Sequence, residues 1–207
     1  MTTRLIVAPH ADDEVLGCGG MIAKYADECT VVILSDKGDG RLAEHERAKK
    51  VLGYKDSIVA PFLTGTLTDE SRTVTSWLDG VMRELKPDIL YLPTPDAHQD
   101  HSAAYGCGIR CARFSYTDQT YFVPAVLLYQ VPSYSIDLYT IPYPMSRYEM
   151  LTEEQMNLKV AAIEEYASQT KGTFSPSDMA RAHAKYIGAR SGNGYAENYA
   201  VVREIVN

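Results

Sequence analysis

The chain has 207 residues, of which 45% are hydrophobic and 23% charged, so it is long enough for one sizeable core and rather short for two. The net charge of −7 and the lack of a basic stripe argue against nucleic-acid binding, which relies on clustered Lys and Arg to neutralise phosphates. The first apolar run is too short for a signal peptide or for a membrane span of roughly 20 residues. We therefore expect one cytoplasmic domain covering residues 1–207.

Short apolar runs of strand length alternate with segments of helical periodicity along the chain. The predicted strands are Arg4–Ala8, Cys29–Leu34, Ser57–Phe62, Asp88–Leu92 and Ala125–Val131. The predicted helices are Val15–Tyr25, Leu42–Leu52, Val74–Leu85, Ala103–Arg113, Thr152–Ser168 and Pro176–Ala189. This alternation predicts βαβ units and hence a doubly wound, Rossmann-like α/β fold, with helices on both faces of a mostly parallel sheet of order 3-2-1-4-5.

The cysteines favour reduced thiols. Cys18, Cys29, Cys107 and Cys111 contain no C-x-x-C pair, and the spacing of four between the last two fits one face of a helix better than a zinc knuckle. We predict buried, structural thiols, in keeping with a cytoplasmic protein.

Two groups of metal-binding residue types directly follow predicted strands. The stretch "PHADDE" at residues 9–14 follows the first strand, and "PTPDAHQDH" at residues 93–101 follows the fourth. In open α/β sheets the ligand crevice lies beyond the carboxyl ends of the strands, where the strand order reverses. In the predicted order the first and fourth strands are neighbours at that reversal, so we expect the two groups to face each other across one crevice.

Simpler roles account for only part of these residues. The helix dipole favours acids in a first turn by roughly 0.3–1 kcal/mol each, but that does not explain His10 or the second group. The "GCGG" run at residues 17–20 lacks G-x-G-x-x-G spacing and follows an acidic turn that would repel a pyrophosphate, so a nucleotide cofactor is not expected. We interpret the isolated His45 and His183 as surface or core residues.

The residue types favour a divalent metal, with zinc as the first candidate. His10 and Asp13 are three residues apart, so on a turn that enters a helix both side chains can point at one ion. His101 can supply a third ligand from the opposite loop, which is the ligand count of a catalytic zinc site. Asp12 is then left beside the open position, where its carboxylate could accept a proton from water.

The two motifs, in this order after the first and fourth strands, resemble the P-H-x-D-D-E and H-x-D-H signature of the LmbE-like, or PIG-L, family of metal-dependent deacetylases. Further segments across the chain resemble the same family. They are Arg41, Glu44, Ala48, Leu52-Gly53, Ser35-Asp36, Ser168-Gln169 and the "YAE" of Tyr195, Ala196 and Glu197.

The resemblance implies an N-deacetylase that uses zinc or another divalent metal and acts on a small 2-acetamido sugar. The metal ligands that it implies are His10, Asp13 and His101. It assigns Asp12 as the general base, His98 as the group that stabilises the oxyanion or protonates the leaving amine, and Asp100 as the group that orients His98.

Several positions depart from the family pattern. Lys37-Gly38 stands where the family has Gly-Glu, and Tyr166 stands where a His precedes the Ser-Gln pair. Ile187-Gly188 replaces an Arg-Gly pair, with Arg190 displaced. We assign these positions to the substrate side, so the sequence supports the reaction better than the identity of the substrate.

Two other functions stay open. A binding module with a purely structural metal would need no spare carboxylate such as Asp12. A metal-dependent hydrolase of a non-sugar amide or ester would use the same residues, because folds and metal sites are reused for many substrates.

The segment Phe114–Tyr148 holds seven of the chain's 15 tyrosines. We predict that Tyr134, Tyr139 or Tyr143 forms a substrate rim, because tyrosine offers a flat apolar face and a hydroxyl to a sugar ring. The alternative is a subunit contact in a homo-oligomer, where aromatic residues are also enriched. Tyr129 falls within a predicted strand and is expected to pack in the core.

Overall fold

A computed structural model of the protein describes residues 1–37, 40–114, 121–132, 143–170, 173 and 175–205. The strands are β1 Arg4–Ala8, β2 Cys29–Lys37, β3 Asp56–Leu63, β4 Ile89–Pro93, β5 Ala125–Tyr129, β6 Arg147–Leu151 and β7 Tyr195–Glu204. The helices are α1 Asp13–Lys24, α2 Leu42–Leu52, α3 Ser71–Leu85, α4 Gln99–Cys111, α5 Glu153–Glu164 and α6 Pro176–Arg190. Short 3-10 turns cover Ala26–Glu28 and Ala167–Gln169.

The strands form one sheet of order β3-β2-β1-β4-β5-β7-β6. Strands β1 to β5 pair in parallel, which confirms the predicted 3-2-1-4-5 order and the α/β class. Strand β7 runs antiparallel to both β5 and β6, and neither β6 nor β7 was predicted. The polar pair Glu197-Asn198 interrupts the apolar pattern of β7, which is why the sequence does not read as a strand there.

Helices cover both faces of the sheet. Along β1, Ile6 and Ala8 join one buried cluster, whereas Leu5 and Val7 join the other, as the two-residue period of a strand requires. The first cluster receives side chains from α1, α2, α5 and α6, and the second receives them from α3 and α4. The β1 strand is therefore buried on both sides. Packing on both faces fixes the carboxyl end of β1, from which residues 9–14 begin.

Close packing explains the glycine-rich run in α1. A Cβ atom at Gly17 would lie 2.1 Å from the Tyr129 ring, and one at Gly20 would lie 2.3 Å from Leu151. Tyr129 is fully buried, and its hydroxyl donates to the Val7 carbonyl oxygen at 2.9 Å. The glycines thus allow α1 to approach β5 and β6, and the tyrosine packs in the core as expected.

Two predicted helix bounds were wrong in ways that affect the site. Helix α4 begins at Gln99, four residues before the predicted start, so His101 lies in its first turn and not in a loop. The N-cap residue His98 accepts a hydrogen bond from the Asp100 N–H through its side chain, which a sequence pattern of apolar spacing does not reveal. Helix α5 ends at Glu164, before the predicted Ser168, and a 3-10 turn follows.

The four cysteines are buried free thiols, as predicted. Among the described residues, no helix is both long enough and apolar enough to cross a lipid bilayer.

Candidate metal centre

The loops after β1 and β4 bring their polar residues together, because the two strands are hydrogen-bonded neighbours. Asp13 lies at the centre of the group. Its Oδ2 atom is 3.2 Å from His10 Nδ1 and 3.3 Å from His101 Nε2. All three residues are buried, with exposed fractions of 4% or less. The predicted ligand set is thus assembled from two segments nearly 90 residues apart in sequence.

The spacing of these atoms fits a zinc ion. Ligand bonds of about 2.0–2.1 Å at tetrahedral angles place neighbouring donor atoms about 3.3 Å apart, which is the separation of Asp13 Oδ2 from both ring nitrogens. The donor nitrogens of His10, His98 and His101 also lie within 4.8 Å of one another. The geometry therefore suits His10, Asp13 and His101 as ligands and leaves His98 close enough to be tested as a further one.

The second ring nitrogen of each histidine contacts a carboxylate. His10 Nε2 is 3.0 Å from Asp100 Oδ2, and His101 Nδ1 is 2.7 Å from Asp96 Oδ2. Metal-binding histidines usually donate their other N–H to such a partner, which fixes the tautomer and the ring orientation. Both rings are therefore already oriented with one nitrogen towards Asp13.

Asp100 was expected to orient His98, but its carboxylate contacts other groups. Its Oδ2 atom accepts the Gly65 N–H at 2.6 Å and contacts His10, while the backbone N–H of Asp100 donates to His98 Nδ1 at 3.2 Å. The early start of α4 causes this, because the first helical turn directs the Asp100 side chain away from the His98 ring. Asp100 therefore holds His98 through its main chain and His10 through its side chain.

Asp96 has no role in the sequence prediction, yet it joins His98 and His101 at the start of α4. Its Oδ1 atom accepts the His98 N–H at 2.8 Å, and its Oδ2 atom contacts His101. Its main-chain carbonyl oxygen also accepts the Ser102 hydroxyl at 3.1 Å. The sequence signal was an Asp two residues before His98, which is the spacing of an Asx-type turn.

Asp12 has a different environment from its neighbour Asp13. Its carboxylate does not cap α1; it forms an ion pair with Arg41, with 2.9 Å between Oδ2 and Nη1. Arg41 is the N-cap residue of α2, so the pair joins two loops of the crevice. The helix-dipole role considered for the acids therefore does not describe Asp12.

A profile of the PIG-L family, described as GlcNAc-PI de-N-acetylase, matches residues 5–112, which is more than half of the chain and includes both motifs. The chain belongs to the PIG-L family. Diacetylchitobiose deacetylase from Thermococcus kodakarensis is 27% identical over 227 aligned positions, covering 96% of this chain and 82% of that protein. The family assignment makes the chain a relative of sugar deacetylases.

Two solved structures share the fold. The conserved protein TT1542 from Thermus thermophilus has a TM-score of 0.80 and 25% identity, covering 100% of this chain and 97% of the other. The N,N'-diacetylchitobiose deacetylase from Pyrococcus horikoshii has a TM-score of 0.73 and 22% identity, covering 97% and 84%. Both cover nearly the whole chain, so the antiparallel strands missed by the sequence analysis belong to the shared fold.

Other segments that resemble the family lie around the centre. Glu44 accepts hydrogen bonds from the backbone N–H and the hydroxyl of Ser168. Tyr166 was assigned to the substrate side, but it is buried and its hydroxyl donates to Glu14 Oε1 at 2.7 Å, so it packs against the first turn of α1. That assignment was wrong because the chain turns inward after α5.

The Tyr-rich segment is described in part. Tyr134 and Tyr139 lie outside the described residues. Tyr143 is half-buried, and its hydroxyl is 2.6 Å from the Tyr105 hydroxyl on α4. For this segment, both the substrate rim and the alternative subunit contact in a homo-oligomer stay predictions.

The charges of the centre act on one another. Burial disfavours the charged form of His10, but Asp100 and Asp13 outweigh it and raise the pKa to about 9. For His101, burial is again outweighed, here by Asp13 and Asp96, and the pKa rises to about 10. Burial and the charge of Asp13 raise the pKa of Asp12, which Arg41 opposes. Burial and the two charged rings lower the pKa of His98.

These pKa values predict that the metal-free protein loses stability at alkaline pH. Both His10 and His101 titrate above the value of about 6.5 expected for an unfolded chain. Their contribution is fully present below about pH 6.5 and is lost as the pH rises through about 9 and 10. The Tm of EDTA-treated protein should therefore fall between pH 7 and pH 10, as calorimetry would show.

The zinc-loaded protein is the control for this titration. Zinc must displace the same protons, so its affinity should rise over that pH window and the loaded protein should show a weaker pH dependence. A Tm of metal-free protein that increases between pH 7 and pH 9 would contradict the expectation.

We further expect Asp96→Asn to weaken zinc binding by about 10- to 100-fold, the usual effect of losing the carboxylate behind a histidine ligand. In this variant the amide oxygen of the new Asn side chain can still accept the His98 N–H. The amide NH₂ group replaces the other carboxylate oxygen and cannot accept a hydrogen bond from His101 Nδ1. Competition with a chromophoric chelator measures the zinc Kd. Ser102→Ala, which removes another contact of Asp96 but spares the ring, should stay within about threefold of wild type on the same scale. An unchanged Kd in Asp96→Asn would exclude this role.

Proposed function

We propose that the protein is a zinc-dependent hydrolase that removes the N-acetyl group from a 2-acetamido sugar of the N-acetylglucosamine type, in the cytoplasm. Membership of the PIG-L family and the likeness to a diacetylchitobiose deacetylase support it. The observation that carries the proposal is Asp12, an acid next to the ligand Asp13 that is turned to Arg41 and stays outside the donor set. A metal used only for structure would need no such spare carboxylate.

Amide hydrolysis needs an activated water and a stabilised oxyanion, and each need has a candidate group. A bound zinc ion would polarise the acetamide carbonyl and make water more acidic. Asp12 accepts the proton of the attacking water, and Arg41 holds its carboxylate in place. His98 accepts the Asp100 N–H at Nδ1, so its neutral ring carries the proton on Nε2 and can donate a hydrogen bond from there to the oxyanion. The proton that Asp12 takes from water then passes to the leaving amine, which leaves Asp12 as a carboxylate again.

A screen by mass spectrometry tests the proposal. Zinc-loaded and EDTA-treated protein are each incubated with N-acetylglucosamine, N,N'-diacetylchitobiose, an acetylated amine that is not a sugar, and an acetate ester. Loss of one acetyl group from the sugars, with zinc only, is the expected result. Turnover confined to the other two compounds would favour the alternative, a hydrolase of non-sugar amides or esters. Full zinc loading with no turnover on any compound would support the structural role of the metal.

The His98→Ala variant separates a fourth ligand from a group that acts on the substrate. We expect zinc stoichiometry near wild type and a kcat lowered by about 10²-fold or more, with a smaller change in KM, because the group acts mainly in the transition state. Elemental analysis and steady-state kinetics on the same preparations give the two readouts. Loss of zinc in this variant would place His98 among the ligands, and an unchanged kcat would remove it from the reaction.

A further inference from the structure

The third acid of the motif, Glu14, belongs to a buried cluster that the proposed reaction does not use. Glu14 and His45 are completely buried, and Tyr166 is 2% exposed. Glu14 Oε1 accepts the Tyr166 hydroxyl at 2.7 Å and lies 3.0 Å from His45 Nδ1. The cluster joins α1, α2 and the turn after α5, so three separate segments of the chain meet at one carboxylate.

The other oxygen of Glu14 acts on Asp12. Glu14 Oε2 accepts the Asp12 backbone N–H at 2.9 Å. Asp12 has φ 127° and ψ −29°, a conformation that costs an L-residue on the order of 1–3 kcal/mol. Within the described residues, Lys86 is the other non-glycine residue with positive φ, and it ends α3 in the ordinary left-handed form. The unusual backbone of the motif is therefore located at Asp12 itself.

This backbone conformation decides where the Asp12 side chain points. The residue is the N-cap of α1, yet its carboxylate turns away from the helix and pairs with Arg41 across the crevice. The Glu14 bond to the Asp12 N–H holds the peptide on one side, while Arg41 holds the carboxylate on the other. A Glu14 side chain that could rotate freely would lose the first of these restraints.

Core packing alone does not account for the cluster. A buried carboxylate is costly unless donors surround it, and apolar side chains of similar size often fill such a place with equal stability. An apolar side chain could not accept the Asp12 N–H. The contacts from His45 and Tyr166 fix the position of the Glu14 side chain, so that its other oxygen remains an acceptor for this one peptide group.

We propose that His45 and Tyr166 are positioning residues that act through Glu14 to fix Asp12 in its strained conformation. The catalytic consequence rests on the proposed function, in which Asp12 is the general base. The structural consequence, a restrained Asp12 peptide, does not depend on the reaction. The two parts can therefore be measured separately.

The experiment compares three changes in the zinc-loaded full-length protein. Tyr166→Phe removes one donor to Glu14, and His45→Leu removes the other. His45→Asn is the conservative variant, because its amide nitrogen lies where Nδ1 lay and can still donate. We expect Tyr166→Phe and His45→Leu to lower kcat about 10- to 100-fold with KM and zinc Kd within about twofold, and His45→Asn to restore much of the loss.

A matched control lies beside the cluster. Tyr54 is buried against His45, with ring centroids 6.4 Å apart, and its hydroxyl has no hydrogen-bond partner among the described residues. Tyr54→Phe makes the same chemical change as Tyr166→Phe without touching Glu14, so kcat should stay at the wild-type value.

Amide hydrogen exchange at Asp12, followed by NMR on ¹⁵N-labelled protein, gives a readout without turnover. Exchange should be faster in Tyr166→Phe and His45→Leu than in wild type, and unchanged in Tyr54→Phe. Wild-type kcat together with unchanged exchange in both test variants would overturn the proposal. So would a zinc Kd that rises in parallel with the loss of kcat, since the cluster would then serve the ligand Asp13. If wild-type protein hydrolyses no acetamide, the proposed function fails, and exchange at Asp12 still decides this inference.

Discussion

Asp13→Ala is expected to lose zinc, whereas Asp12→Asn is expected to keep zinc and lose most of its turnover. Asp13 Oδ2 lies 3.2 Å from His10 Nδ1 and 3.3 Å from His101 Nε2, so its removal takes away one of the three proposed ligands and should weaken zinc binding by more than about a hundredfold. Asp12 pairs with Arg41 and lies outside the donor set, and positioned acid–base groups contribute about 10² to 10⁴ in rate. Elemental analysis and kcat measured on one preparation of each variant distinguish the two aspartates.

The pair of variants is its own control, because the two residues are adjacent and have the same side chain. Asp27→Ala serves as a further control. It removes a surface acid that is 71% exposed, so zinc content and kcat should both stay at the wild-type values. The assignment is reversed if Asp12→Asn purifies without zinc while Asp13→Ala retains it. If both variants lose zinc, Asp12 is a ligand and a different group must act as the base.

The parallel half of the fold could be predicted because its strands are short apolar runs, which in β1 and β5 are buried on both faces. A run of this kind can be recognised from its own residues, without knowing which segments it contacts in the folded chain. Strand β7 depends on its neighbours: Glu197, in the polar part of that strand, is buried only because Lys159 and two N–H groups of α1 surround it. No local pattern shows that these groups meet, so β6 and β7 were missed.

In the candidate centre, too, some residues could be predicted from local sequence, whereas others depend on contacts between distant segments. His10, Asp12, Asp13 and His101 lie in the segments that follow β1 and β4, and the order of the parallel strands is enough to bring these segments together. The supporting contacts are specific to the fold. Asp96 reaches His101 only because α4 starts early, which apolar spacing did not indicate.

His45 illustrates the limit for single residues. The sequence placed it among surface or core histidines, and the structure buries it beside Glu14. Its neighbours come from α1 and from the turn after α5, more than 100 residues further along the chain. A histidine on an otherwise polar helix gives no sign of such partners, so its role could be inferred only from the folded structure.

Glu197→Leu is expected to destabilise the protein more than any surface substitution. Glu197 Oε1 accepts the Gly20 N–H at 2.8 Å and Lys159 Nζ at 2.6 Å, and Oε2 accepts the Met21 N–H and the Tyr199 hydroxyl, both at 2.8 Å. Removing the carboxylate leaves a buried ammonium group and unpaired N–H groups. The loss of one partner of a buried pair costs about 3–5 kcal/mol. For a chain of this size that lowers the Tm by roughly 6–20 °C.

Lys159→Met provides the matched comparison, because Glu197 then keeps three of its four donors, and we expect a loss of only about 1–2 kcal/mol. The double variant removes the unpaired ammonium, so it should be more stable than Glu197→Leu alone, and the two effects should not add. Urea unfolding followed by circular dichroism, with zinc at one saturating concentration throughout, measures all four proteins. A Glu197→Leu variant within about 1 kcal/mol of wild type would mean that water reaches Lys159, since only hydration could replace the lost carboxylate.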